Sequence, residues 1–165
     1  MELLDIYNKD GKVTGKTVDR YDESYLFADD EYMAISQIYI ENSEGKYLIE
    51  ESAKKTGNRF LPVGGHIAHG ETPYETIIRE VKEEIGLDIS KENIIFLGYI
   101  VDDLRLRFIY YLKKDVDLIK LILQPEEVLN VSYMNEEKIK ELISKELMHP
   151  SHNILLKMVL DYKKR

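Results

Sequence analysis

The stretch from Gly65 to Leu87, GHIAHGETPYETIIREVKEEIGL, decides the reading of the chain. Thr72-Pro73-Tyr74-Glu75 marks a helix start: threonine caps free amides, proline suits the first helical position, and Glu75 reaches back to complete a capping box. Gly86 supplies the matching stop, because helices commonly end on a residue free to take positive φ. Between them Ile77, Ile78, Val81 and Ile85 recur at helical spacing as a buried stripe. Glu80, Glu83 and Glu84 fall at i, i+3 and i+4, within an arc of about 100°. On composition alone such a cluster reads as a solvated acidic face. Two features point elsewhere. Like charges at this spacing repel by about 0.2–0.5 kcal/mol a pair, and the preceding glycines let backbone approach a bound group. Carboxylate oxygens on a rigid helix suit a hard divalent cation, Mg²⁺ in particular.

Outward from the helix, the chain alternates strand and turn signals. Residues 2–18 read as two short strands turned at Asp10-Gly11. Residues 20–30 read as a connecting loop. Two longer strands, Tyr32 to Glu41 and Lys46 to Glu51, are expected to form a hairpin through Ser43-Glu44-Gly45. A short extended piece, Arg59 to Val63, precedes the glycine loop. Beyond the helix, NIIFLGYIV and LRLRFIYYLKK carry the β-branched and aromatic content of strands, with a third at Val128 to Met134. Two amphipathic helices close the chain, Glu136 to Leu147 and Ser151 to Lys163. The expectation is an α/β protein, a mixed sheet sandwiched between helices, in a single domain spanning 1–165.

The 165 residues suffice for a core without staples. A net charge of −8 disfavours broad contact with a nucleic-acid duplex, so a phosphate-handling site here needs a cation between protein and substrate. The chain has no cysteine, which removes disulfides, thiolate metal sites and cysteine nucleophiles. With no leader-like or membrane-length apolar run, the sequence reads as cytoplasmic and free of membrane.

The opening stretch resembles the Nudix box at every position: Gly65, Glu71, then Arg79-Glu80-Val81-Lys82-Glu83-Glu84-Ile85-Gly86-Leu87. Average residue frequencies put a chance match on the order of one in ten million. The resemblance implies a Nudix fold and a hydrolase cleaving the diphosphate linkage of a nucleoside diphosphate joined to another group, with Mg²⁺ or Mn²⁺. It implies Glu80 and Glu84 as principal metal ligands, Glu83 as a third or water-mediated one, and the Gly64 carbonyl as a further donor. It also implies that Arg79 orients a box glutamate and Glu71 braces the loop, with Gly65 and Gly86 as structural glycines. Glu83, Glu84 and Arg79 are thus the expected catalytic group. Homodimers are common in the family.

The resemblance does not place the water-orienting base, for which the loop carboxylates Glu126 and Glu127 are candidates against a reading as surface charges. His66 is a candidate substrate contact and His69 a second; His149 and His152 read as loop and cap residues. Tyr39, Tyr47 and Tyr110 are candidate pocket walls against a reading as core. The N-terminus, DIYNKDGKVTGKTV followed by arginine, resembles the subgroup related to isopentenyl diphosphate isomerase. In that enzyme a cysteine stands where this chain has Gly64, so the proton donor is missing. A nucleotide-binding module without hydrolysis is the other alternative. No proline lies between Asp88 and Leu123, where the resemblance would place one for ADP-ribose hydrolysis, and nothing positive names the substrate.

Overall fold

The computed structural model describes residues 1–165. Strands β1 (Leu3–Tyr7) and β2 (Val13–Asp19) form a separate two-stranded antiparallel sheet, turned as expected through Gly11 at φ 79°. Leu4, Ile6 and Val18 bury its inner face against Tyr25, Phe27 and Met33.

The main sheet is built on β3 (Met33–Glu41). One edge runs parallel to β8 (Arg105–Lys113), from Met33 opposite Arg105 to Glu41 opposite Lys113. The other edge pairs antiparallel with β6 (Val63–His66), and β7 (Ile95–Asp102) completes the far side of β8. The expected hairpin forms, but it is short. The turn at Ser43-Glu44-Gly45 exists, but β4 (Tyr47–Ser52) meets β3 only at Glu41 opposite Tyr47. The edge of β3 from Ile35 to Ile38 is already taken by β6, so β4 turns away to β5 (Phe60–Leu61) and β9 (Val128–Met134). The sheet therefore splits into two ladders joined at one corner. The glycines expected in a loop, Gly64 and Gly65, are strand residues of β6.

Strand alternation sends successive side chains to opposite faces, and both faces are covered. Ile38, Ile40, Leu106 and Phe108 pack with Ile77, Val81 and Ile85 of α1 (Pro73–Ile85). Tyr39, Ile109 and Tyr111 pack with Ile139 and Leu142 of α2 (Glu136–Ser144) and with Leu155 and Val159 of α3 (His152–Lys163). The expected mixed sheet between helices is thus present. Helix α2 stops at Ser144 rather than Leu147, because Glu146 turns to φ 60° and the Leu147 carbonyl accepts the Phe60 amide of β5. No helix is long and apolar enough to cross a membrane.

Candidate active site

Helix α1 is capped as its sequence requires. Thr72 Oγ1 accepts the Glu75 amide at 3.1 Å, Glu75 Oε1 accepts the Thr72 amide at 3.0 Å, and Gly86 closes the helix at φ 71°. The last turn is held from outside by two backbone hydrogen bonds, from the Ile122 amide to the Ile85 carbonyl and from the Gln124 amide to the Glu84 carbonyl. The glutamates are thereby fixed against the split between the two ladders.

That split is a cleft of about 380 Å³, into which Gly64, Gly65, His66, Arg79, Glu80, Glu83, Glu84 and Glu127 all face. Glu126 is not part of its lining. The three box glutamates differ in setting. Glu84 is 5% exposed, the Glu80 side chain is mostly buried at 16% exposed, and the Glu83 side chain is half in solvent. Arg79 ties the cluster: Nε and Nη2 donate to Glu71 at 2.7 and 2.9 Å, while Nη1 donates to Glu80 at 2.9 Å and Glu83 at 3.1 Å. Glu71 also accepts from the Ala68 amide and the Thr76 hydroxyl, which ties the loop before α1 to the helix. Burial opposes its ionisation, but the Arg79 and Thr76 hydrogen bonds outweigh that and hold its pKa below the usual range.

Sequence reasoning missed Glu50, on β4. It is 2% exposed, lies in the cleft lining, and its Oε2 has no hydrogen-bond partner. Glu84 is within hydrogen-bond reach of both Glu50 and Glu80. Burial pushes the pKa of all three carboxylates up, and their mutual repulsion adds to the rise at Glu84. Alternation along KYLIEES held a signal, since Glu50 shares a strand face with Leu48; a glutamate at the end of an apolar run nonetheless reads as solvated until both faces of the sheet are known to be covered.

The histidines separate by environment. His66 lines the cleft, and burial, with the Arg20, Arg105, Lys54 and Arg107 charges, pushes its pKa down to about 3, so it is a neutral hydrogen-bonding group. His69 lies outside the lining and binds Asp5 at 2.7 Å. His149 contacts Arg107 and accepts the Ser151 amide just before α3, whereas the cap reading is corrected for His152, whose side chain is fully buried against the Tyr39 hydroxyl and caps no helix. Tyr39, Tyr47 and Tyr110 belong to the core rather than to pocket walls. The aromatic at the cleft is Tyr21, which follows β2 beside Arg20. Gly64 is constrained sterically: a Cβ there would lie 2.0 Å from the Ser36 carbonyl oxygen. No cysteine can replace it on this backbone.

Fold and cleft together define a helix-borne carboxylate site of the kind that handles phosphates, and the comparisons place it. The NUDIX domain model matches residues 32–157. An uncharacterized Nudix hydrolase of Listeria innocua is 32% identical over 158 residues, covering 87% of this chain and 86% of the relative. One from Listeria monocytogenes is 32% identical over 153 residues, with the same coverage. Among solved structures, DR0079 from Deinococcus radiodurans superposes with a TM-score of 0.70 at 21% identity, covering 87% of this chain and 90% of that one. The NUDIX domain of Shewanella oneidensis NrtR, complexed with ADP ribose, superposes with a TM-score of 0.65 at 13% identity, covering 87% and 94%. These two likenesses show the fold. The chain belongs to the Nudix family. It is a hydrolase of that family, whose members in general act on nucleoside diphosphate derivatives and use divalent cations.

The donor set fits a hard cation. Every candidate ligand is an oxygen, and the buried Glu50 Oε2 lacks any partner. The His, Asp and Glu side chains do not already stand as a closed metal shell. Arg79 instead draws Glu80 and Glu83 to its guanidinium.

Proposed function

We propose that this protein hydrolyses the diphosphate linkage of a nucleoside diphosphate joined to a second polar group, with Mg²⁺ or Mn²⁺ as its cofactor. The observation that carries the reading is the convergence of Glu80, Glu83 and Glu84 on one cleft, two of them withdrawn from water with too few cationic partners. Glu80 and Glu84 are the principal ligands in this reading, with Glu83 and the Gly64 carbonyl as further donors. When bound, the cation neutralises the diphosphate and lowers the pKa of a water molecule. Arg79 is a positioning residue that fixes Glu80 and Glu83 while anchored on Glu71. Glu83 and Glu127 are the carboxylates placed to orient the attacking water and accept its proton, and Glu127 is held by Lys54 at 3.0 Å. His66, neutral, is available to donate or accept one hydrogen bond to substrate.

The lining favours a polar substrate, since only three of its twenty residues are hydrophobic, which suits a nucleotide or sugar better than a prenyl chain. The ADP ribose bound by the NrtR domain is a ligand of that class. The isomerase alternative loses ground because Gly64 can carry no side chain.

The test is phosphate release from nucleoside triphosphates, dinucleoside polyphosphates, nucleotide sugars and prenyl diphosphates, by the native protein and by Glu84→Gln. The expected result is Mg²⁺-dependent hydrolysis of a nucleoside diphosphate derivative, reduced about 100-fold or more by the substitution. Equal rates in the two proteins overturn the assignment. Tight nucleotide binding with no release across the panel favours the binding module instead.

A further inference from the structure

Outside the Nudix box, two buried side chains in the cleft carry an oxygen without a hydrogen-bond partner, Gln37 Oε1 and Glu50 Oε2; Gln37 is neutral and its amide nitrogen donates to the Pro62 carbonyl, whereas Glu50 is a carboxylate. Glu50 sits in the middle of β4, with backbone pairs to Leu61 of β5 and Val131 of β9, so its position is held from both sides. It is 2% exposed, and Oε2 has no partner. A buried carboxylate with one oxygen left without a partner and no cation beside it is unfavourable, because nothing replaces the water it has lost. The nearby cations are committed elsewhere: Arg79 to Glu71, Glu80 and Glu83, and Lys54 to Glu127. A glutamine or an aliphatic residue would fill the same volume at lower cost. The neighbours of Glu50 in the cleft are the metal-ligand candidates Glu80 and Glu84, carried on a different element.

We infer that Glu50 is a metal-ligating residue of this site, supplied by β4 from outside the Nudix box and bringing a further carboxylate to the cation held by Glu80 and Glu84. The inference rests on the functional reading above and deepens it. A cation held by these residues would draw its carboxylates from both α1 and the β5-β4-β9 ladder, which face each other across the cleft. Charge count follows: an additional buried carboxylate strengthens binding of a divalent ion and favours one that tolerates more protein oxygens, Mn²⁺ over Mg²⁺.

The experiment measures Mn²⁺ binding alone, by calorimetry and by the electron paramagnetic resonance signal of free ion, for native protein, Glu50→Gln, Glu50→Asp and Glu84→Gln. Circular dichroism and melting without metal confirm folding. Glu50→Gln is expected to melt at or above the native temperature without metal, because the unpaired charge is gone, and to bind Mn²⁺ at least tenfold more weakly. The bound ion should also carry more water, read from line broadening in oxygen-17 water, which removal of a merely nearby charge does not produce. Glu50→Asp keeps the charge but withdraws it by one methylene, and is expected to bind with intermediate affinity. If Glu84→Gln weakens Mn²⁺ binding while Glu50→Gln binds as native, or with unchanged hydration, the inference about Glu50 is wrong and the box assignment stands. If neither variant weakens binding, the metal reading itself fails. A Glu50→Gln protein that melts well below native without metal, with Mn²⁺ affinity intact, assigns Glu50 to the fold instead.

Discussion

Gly64 and Gly65 stand side by side in β6 yet lack side chains for different reasons. A Cβ on Gly64 would meet backbone, the Ser36 carbonyl oxygen at 2.0 Å and Gln37 Cα at 2.8 Å, so the clash falls on the β3–β6 ladder itself. A Cβ on Gly65 would meet the carboxylate of Glu80, with Cδ and Oε1 both at 2.6 Å, at the free end of a flexible side chain. The two alanine variants should therefore part company. Gly64→Ala is expected to lose about 2 kcal/mol or more of stability, the scale of overpacking against atoms that cannot move. Gly65→Ala is expected to stay within about 1 kcal/mol of native stability while losing most Mn²⁺ binding and hydrolysis, because Glu80 is displaced. Urea denaturation beside metal titration checks both. Similar losses of stability in the two variants would contradict the assignment of Gly65 to the site. Glycine at both positions was legible in the sequence; the reason for each was not, because each clash involves an atom from another element.

At the scale of elements, α1 is where sequence and structure agree most closely. Every signal in it is local: the Thr72 cap, Pro73, the Glu75 reach-back and the Gly86 stop all act within one turn. Its apolar stripe is buried as the spacing implies, with Ile77, Val81 and Ile85 inaccessible, each worth roughly 1.5–3 kcal/mol of burial. Thr72→Ala is expected to lower stability by about 1 kcal/mol, seen as a lower urea midpoint at unchanged slope. An unchanged midpoint would show that the last turn, held through Ile122 and Gln124, carries the helix without its cap. The hairpin expected from Tyr32 to Glu51 is present but far shorter than its strands. Its two strands and its turn exist, but a turn signal reports only that the chain reverses. Which strand then occupies each edge is a competition among distant segments, and β6 outcompetes β4 for the edge of β3.

Across the whole molecule, two apolar layers enclose polar groups whose charge states depend on that enclosure. His152 is fully buried between β3 and α3, with the Tyr39 hydroxyl at 2.8 Å, and burial pushes its pKa down to about 3. The sign follows from proton binding. Below about pH 6.5 the unfolded histidine takes a proton that the folded one refuses, so stability falls with pH from there toward about 3, by about 1.4 kcal/mol per pH unit. His66, also pushed down to about 3, acts in the same direction. Glu50 and Glu84 act oppositely, since their raised pKa lets the folded state bind protons first. Comparison with His152→Gln isolates one contribution: between pH 6 and 4 the variant should lose stability less steeply than native protein by about 1.4 kcal/mol per unit. Parallel curves from urea melts across that range would mean that His152 is not held neutral.

The sequence by itself determined the features that local chemistry writes: the capped helix, its carboxylate edge, the strands and turns, and the family through an unbroken box. Only the tertiary structure decided how the strands are shared, that the sheet splits at Glu41 and Tyr47, and that the split brings Glu50 under the end of α1. The physical reason is range. Capping, periodicity and like-charge spacing act between residues a few positions apart, whereas the buried Glu50 takes its meaning from the Glu80 and Glu84 carboxylates that folding places beside it, and those lie 30 and 34 residues further along the chain.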